Sequence, residues 1–155
     1  MTQSFKQKVQ SMKFSDIMQA MIDGLKKEHV KVNLETFGDA VNGVCYGCAA
    51  TNIFCEISGK VFTPENISPL DNRHRFISES DLDDEFVFMF EDAIDDLRNT
   101  CIRYYNSTAI YMGFAPAPNA FESRLYELPA LQNHNWRYEL PKYQEVCDEI
   151  KKAGF

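Results

Sequence analysis

Cys45-Tyr46-Gly47-Cys48 is the first stretch of the chain whose residue types and spacing could do chemistry. In a dithiol redox site, a CxxC sits at a helix N-terminus. There the helix dipole lowers the pKa of the first thiol, and the second resolves a mixed disulfide. Cys45 falls where a helix is expected to start, but no strand precedes it to supply the βαβ context that makes the motif specific. A zinc reading draws on Cys45, Cys48 and Cys55, with His74, Cys101 or Cys147 as a fourth ligand. Structural zinc asks for two ligand pairs, and the chain has one CxxC. On a helix, Cys48 and Cys55 would be two turns apart, about 10 Å along the axis, too far to share an ion. Free cysteine is among the most buried residue types, so the thiols read best as small core hydrophobes, with no cofactor and no metal.

Nucleophilic catalysis needs a Cys or Ser beside a histidine base. His29 reads as a cation at a helix C-terminus, and His74 lies between Arg73 and Arg75. A Cys45–His134 pair has no supporting local signature. Glycine-rich phosphate loops and HExxH are absent from the sequence, and the chain reads as non-enzymatic.

The acidic segment is more informative. Residues 79–96 hold nine carboxylates (Glu79, Asp81, Asp83, Asp84, Glu85, Glu91, Asp92, Asp95, Asp96) and no Lys or Arg. A di-iron carboxylate site would need Glu-x-x-His pairs, and the sequence has none. A solvated helix face is the ordinary explanation for such a run. Phe88 argues for more than solvation. If the segment is helical, Phe88 lies opposite the apolar stripe Leu82–Phe86–Phe90, ringed by Asp84, Glu85, Glu91, Asp92 and Asp95. Such a phenylalanine either packs under another element or anchors a basic partner, since an aromatic inside a charged rim is a recurrent hot-spot arrangement. Asp84, Glu85, Phe88, Glu91, Asp92 and Asp95 are therefore the expected partner-binding residues. The reading is a small acidic binder of a basic protein, comparable in size and charge to inhibitors, immunity proteins and antitoxins that mimic phosphates. The alternative is a thiol-redox or zinc-binding protein centred on Cys45 and Cys48.

Composition narrows the classes further. The chain has 155 residues, 45% hydrophobic and 25% charged, with a net charge of −7. That size and mix suit one soluble domain, and the charge disfavours direct nucleic-acid binding. No run is apolar enough to cross a membrane. An odd number of cysteines, five, without a secretory signal points to reduced thiols and a cytoplasmic setting. The Asn106-Ser107-Thr108 sequon is then incidental.

The elements that must position these residues follow from periodicity. Residues 1–13 read as a frayed basic tail and 14–155 as a single, mainly α domain of about six helices. Ser15, Ile17, Met21 and Leu25 mark a helix over 15–29. Leu34, Phe37 and Val41 suggest a second, closed by Asn42-Gly43. Residues 45–58 are apolar on most sides and predict a central, buried helix stopped by Gly59. Thr63-Pro64 opens a short turn of helix, and 69–79 form a loop. Further helices are expected over 81–98, opened by a Ser80 and Asp83 capping box, and over 101–112, ended by Gly113. Tyr126-Glu127-Leu128-Pro129 recurs as Tyr138-Glu139-Leu140-Pro141. Both copies read as helix entries with proline at the first helical position, so the last helix should begin at Pro141.

Overall fold

The computed structural model describes residues 3–36, 38–65, 67, 84–132 and 135–155. The fold is mainly α, a single domain with one small sheet. Its described helices are α1 (Phe5–Ser11), α2 (Phe14–Lys27), α3 (Ala49–Ser58), α4 (Asp84–Arg98), α5 (Ile102–Met112), α6 (Glu122–Tyr126) and α7 (Trp136–Lys152). The strands are β1 (Lys31–Val32), β2 (Asp39–Val41) and β3 (Val44–Gly47).

The central helix is α3, as the apolar run predicts, but it is shorter than 45–58. Every residue from Ala49 to Cys55 is buried. Its N-cap is Cys48, and Gly59 closes it with a φ of 73°. Cys45, Tyr46 and Gly47 belong instead to β3, which pairs in parallel with β1 and antiparallel with β2. The reason lies one step upstream. Asn42 and Gly43 both have positive φ, 52° and 78°, the conformation of a tight hairpin turn whose twist suits antiparallel strands. Val41 therefore pairs with Val44, and the segment expected to be a second helix becomes a turn and a hairpin arm.

The described part of the expected tail, residues 3–13, also departs from expectation. Ser4 and Gln7 form a reciprocal capping box, with the Gln7 N–H donating to Ser4 Oγ at 3.2 Å and the Ser4 N–H to Gln7 Oε1 at 3.0 Å. The helix it starts buries Phe5 and Val9. The Phe5 ring sits 4.8 Å from that of Phe54 on α3 and 5.4 Å from that of Phe90 on α4. Two apolar residues four apart were enough to dock a lysine-bearing segment.

α2 lies against α3 with a contact too tight for any side chain at Gly24. A Cβ there would fall 2.9 Å from the Asn52 backbone. Asn52 is itself fully buried and satisfied, since its Oδ1 accepts from the Val30 N–H at 3.3 Å and its Nδ2 donates to Cys48 O at 3.2 Å. It ties the entry to β1 onto the start of α3. α4 turns through 99–101 into α5, and the two pack along their length, an αα-hairpin. α7 covers α2 and starts at Trp136, so Pro141 lies inside the helix rather than opening it. Buried Trp136 and Leu140 extend the helix backward past a proline that forgoes one backbone bond. The first copy of the motif behaves differently again, because α6 ends at Tyr126 and Pro129 follows it in a loop. Neither copy is a helix entry.

Candidate functional site

The acidic segment forms α4, and its burial pattern decides which carboxylates are available. Phe86, Val87, Phe90, Ala93, Ile94 and Leu97 are buried. This arc is broader than the stripe expected from the sequence, because α3 packs along one side of α4 and α5 along the other. Phe88 accordingly does not stand free in solvent. It is half-buried and packed against the core, so an anchor of the kind expected would present only part of its ring.

The carboxylates divide into two groups. Glu91 and Asp95 lie on the side facing the α3 N-terminus, where both raise the pKa of the buried Cys48 thiol in addition to burial itself. Glu91 is half-buried, and Asp95 Oδ1 accepts from Arg98 Nη2 at 3.3 Å. Arg98, buried, also donates to Leu131 O at 2.8 Å and so fixes the far end of the helix. Glu85 and Asp92 are exposed. Among the described residues neither makes an ion pair. Asp96, half-buried beside them, has its carboxyl held above the ordinary aspartate value, first by burial and then by repulsion from Asp92 and Asp95. The Asp84 side chain, and Glu79, Asp81, Leu82 and Asp83, lie outside the described residues, as do the Ser80 cap, the 69–79 segment, Phe37, His74 and His134.

Several acids elsewhere are paired with cations. Glu56 takes Lys27 at 2.6 Å and His29 at 2.7 Å. Glu149 takes Arg124 at 3.0 Å, and Glu28 takes Arg137, whose guanidinium also lies 4.4 Å over the Trp136 ring. Among the described residues Glu85 and Asp92 have no such cation, so the outer face of α4 carries unpaired carboxylates close together.

The thiols look different in space from their look in sequence. Cys45 sits in β3 rather than at a helix start, so no dipole acts on it as a dithiol mechanism would need. Cys48 does cap α3, yet it is buried, and its Sγ lies 3.4 Å from Thr51 Oγ1. Burial pushes its thiol pKa up, pushes Cys55 up to about 12 and Cys147 up to about 11. Burial thus disfavours the thiolate form of all three. Cys45 and Cys55 converge on the backbone of Phe62, with Cys45 Sγ 3.9 Å from its carbonyl oxygen. Among the described residues no three His, Cys, Asp or Glu side chains come together as a metal-holding group. No helix of the described chain is long and apolar enough to cross a membrane.

The buried polar Asn52 and the tyrosine-bearing outer surface of α5 escaped the sequence reading. Ile110 on that surface also borders a groove of 570 Å³, walled by Met12, Phe14, Pro116 and Pro118, which lies apart from both the acidic face and the thiols. The Tyr104–Tyr111 spacing was the available signal for the surface, since residues seven apart share a helix face. No protein-family model, curated protein or solved structure matches the chain.

Proposed function

We propose that the protein binds a basic protein partner through the outer face of α4, with Glu85 and Asp92 as its exposed charged contacts, Asp96 beside them and the accessible edge of Phe88 as an apolar contact. One observation carries this reading. Among the described residues Glu85 and Asp92 are exposed and make no ion pair, while the Asp96 carboxyl is held above the ordinary aspartate value by burial and by its acidic neighbours. Keeping like charges together costs stability, and a basic partner relieves that cost on binding. The fit is to inhibitors and antitoxin-like proteins that occupy cationic surfaces otherwise filled by phosphate. Such a partner is a protein rather than a nucleic acid, whose phosphates the face would repel. Asp95 pairs with Arg98, and Glu91 and Asp95 both act on the Cys48 thiol at the start of α3, so on this reading they serve the helix's own packing more than the partner. The five thiols, all free, suit a reducing compartment such as the cytoplasm.

The test is affinity capture from the native host with the wild-type chain and a Glu85→Lys, Asp92→Lys variant side by side. The expected result is a basic protein retained by the wild type, released by raised salt and lost with the variant. A variant that retains the same proteins as the wild type would sink the proposal. With a purified partner, the reversal should chiefly slow association and flatten its salt dependence, because rim charges act on encounter.

A further inference from the structure

Asn42 and Gly43 form the tip of the hairpin between β2 and β3, and every residue from Val41 to Val44 is exposed. Both tip residues have positive φ, 52° and 78°. Space around Gly43 is open, since a Cβ built there would meet nothing within 4 Å. Among the described residues, neither the Gly43 N–H nor the Asn42 side-chain amide takes part in a hydrogen bond. Little holds the tip closed. β2 and β3 are three and four residues long, and their last pair, Val41 and Val44, is 49% and 41% exposed. Segments with so little buried surface open at low cost.

We infer that Asn42 is a site of spontaneous covalent modification, its side-chain amide becoming a carboxylate through a succinimide closed by the Gly43 nitrogen. The Gly43 backbone nitrogen gives up its proton to solvent base and attacks Asn42 Cγ. The new N–Cγ bond closes the ring, and the Cγ–Nδ2 bond breaks to release ammonia. Water then opens the ring at either of its carbonyl carbons, leaving aspartate or isoaspartate. In sum, amide and water become acid and ammonia, with no oxidant or cofactor. Glycine suits this step, because it brings no Cβ to crowd the ring and reaches backbone angles that other residues resist.

Other asparagines supply the contrast. Asn42-Gly43 is the one Asn-Gly pair in the sequence. Asn106 precedes the small Ser107, but its Oδ1 accepts from the Ala117 N–H at 2.7 Å. The Ser107 nitrogen is committed to the backbone ladder of α5. Asn52 is buried with both side-chain polar atoms bonded, and Asn33 Oδ1 accepts from the Glu35 N–H at 3.1 Å. Of these four, only Asn42 has both its attacking nitrogen and its leaving amide unengaged.

Either product alters the hairpin. Aspartate adds one negative charge to a chain that already carries −7. Isoaspartate also routes the main chain through the side chain, lengthening a two-residue connection whose geometry sets the Val41–Val44 pairing. The class of partner that acts on this product is a methyltransferase that esterifies isoaspartyl carboxyls with S-adenosylmethionine. The site is independent of the acidic face of α4.

The test is incubation of the full folded chain at body temperature and mildly alkaline pH, with a parallel sample held in urea. Peptide mass mapping locates the conversion, and a purified isoaspartyl methyltransferase with labelled S-adenosylmethionine counts isoaspartate. In the folded chain, aspartate and isoaspartate should build up at position 42 while Asn52 and Asn106 stay intact. In urea, Asn106 should begin to convert as well, because the helix that holds it is gone. Asn42→Gln should bring the methyl label of the folded chain down to background, since the longer side chain would have to close a larger ring. A folded chain that keeps Asn42 intact while the urea sample converts it overturns the inference, because the hairpin then holds the nitrogen away from Cγ. So does conversion of Asn106 in the folded chain to the same extent as Asn42, or an Asn42→Gln variant labelled as heavily as the wild type.

Discussion

α4 and α5 are neighbours in sequence and in space, yet their outer faces have almost nothing in common. The inner faces are alike: Phe86 and Phe90 from α4 and Tyr105 from α5 meet around the Phe114 ring, with centroids 5.5 to 6.0 Å from it. Outside, α4 presents Glu85 and Asp92, while α5 presents Tyr104, Ile110 and Tyr111. The hairpin needs only its inner stripes to fold, so the outer composition is left open to other constraints. A carboxylate face and a tyrosine face side by side cannot suit the same partner. The difference teaches that net charge is a poor guide to this molecule's surface, because the charge is placed on one helix and withheld from the next.

The largest expected effect falls on what the two helices share. Phe90→Ala should cost about 3–5 kcal/mol, since it removes a fully buried ring that touches Phe5, Phe86 and Phe114 and leaves a cavity. Urea unfolding would measure it, and a loss below that of an ordinary surface change would remove Phe90 from the core. Tyr105→Phe should cost less, about 1–2 kcal/mol, because the lost hydroxyl donates to Ala115 O at 2.8 Å and would leave that carbonyl unsatisfied.

The outer faces separate next. Half-buried Phe88, packed against the core, should lose about 1–2 kcal/mol on truncation to alanine, more than the outward residue expected from periodicity alone. Tyr104→Ala should stay within about 0.5 kcal/mol, as exposed substitutions do. Equal unfolding midpoints for the two variants would erase the distinction between a face that leans on the core and one that does not.

The helical core was legible because it obeys period. α2, α4 and α5 lie where apolar spacing places them, with Gly113 closing α5 at a φ of 80°. The sheet was not legible by that route. Its strands are two to four residues long, too short to show alternation, and Asn42-Gly43 serves equally as a helix stop and as the strongest hairpin turn signal. The misread turn then moved Cys45 from a helix start into a strand and removed the dipole on which its redox reading depended. Phe88 is half-buried rather than outward for a tertiary reason. A helix gripped by α3 on one side and α5 on the other buries more of its circumference than one stripe implies. The exposed carboxylates needed no tertiary knowledge, since a run without Lys or Arg can only be paired from elsewhere.

The smallest effects test the electrostatic half of the comparison, and their signs are opposite. Asp96 is raised in the folded state, by burial and by Asp92 and Asp95, so its ionisation disfavours folding. That cost is full above its folded pKa and disappears as pH falls below the ordinary aspartate value. Asp96→Asn should therefore stabilise the protein at neutral pH, with the gain vanishing in acid. Glu56 is the reverse case. Burial alone would raise it, but hydrogen bonds from Lys27 and His29 prevail and leave it lowered. Its contribution is present above the ordinary glutamate value and is lost as pH falls through the lowered one. Glu56→Gln should thus destabilise at neutral pH, and the loss should shrink in acid. Thermal midpoints of both variants against wild type, taken from neutral pH downward, give two difference curves. Each should converge on zero from its own side. If Asp96→Asn instead lowers the midpoint at neutral pH, the outer face of α4 holds less uncompensated charge than its carboxylates imply, and the reason to expect a basic partner there weakens with it.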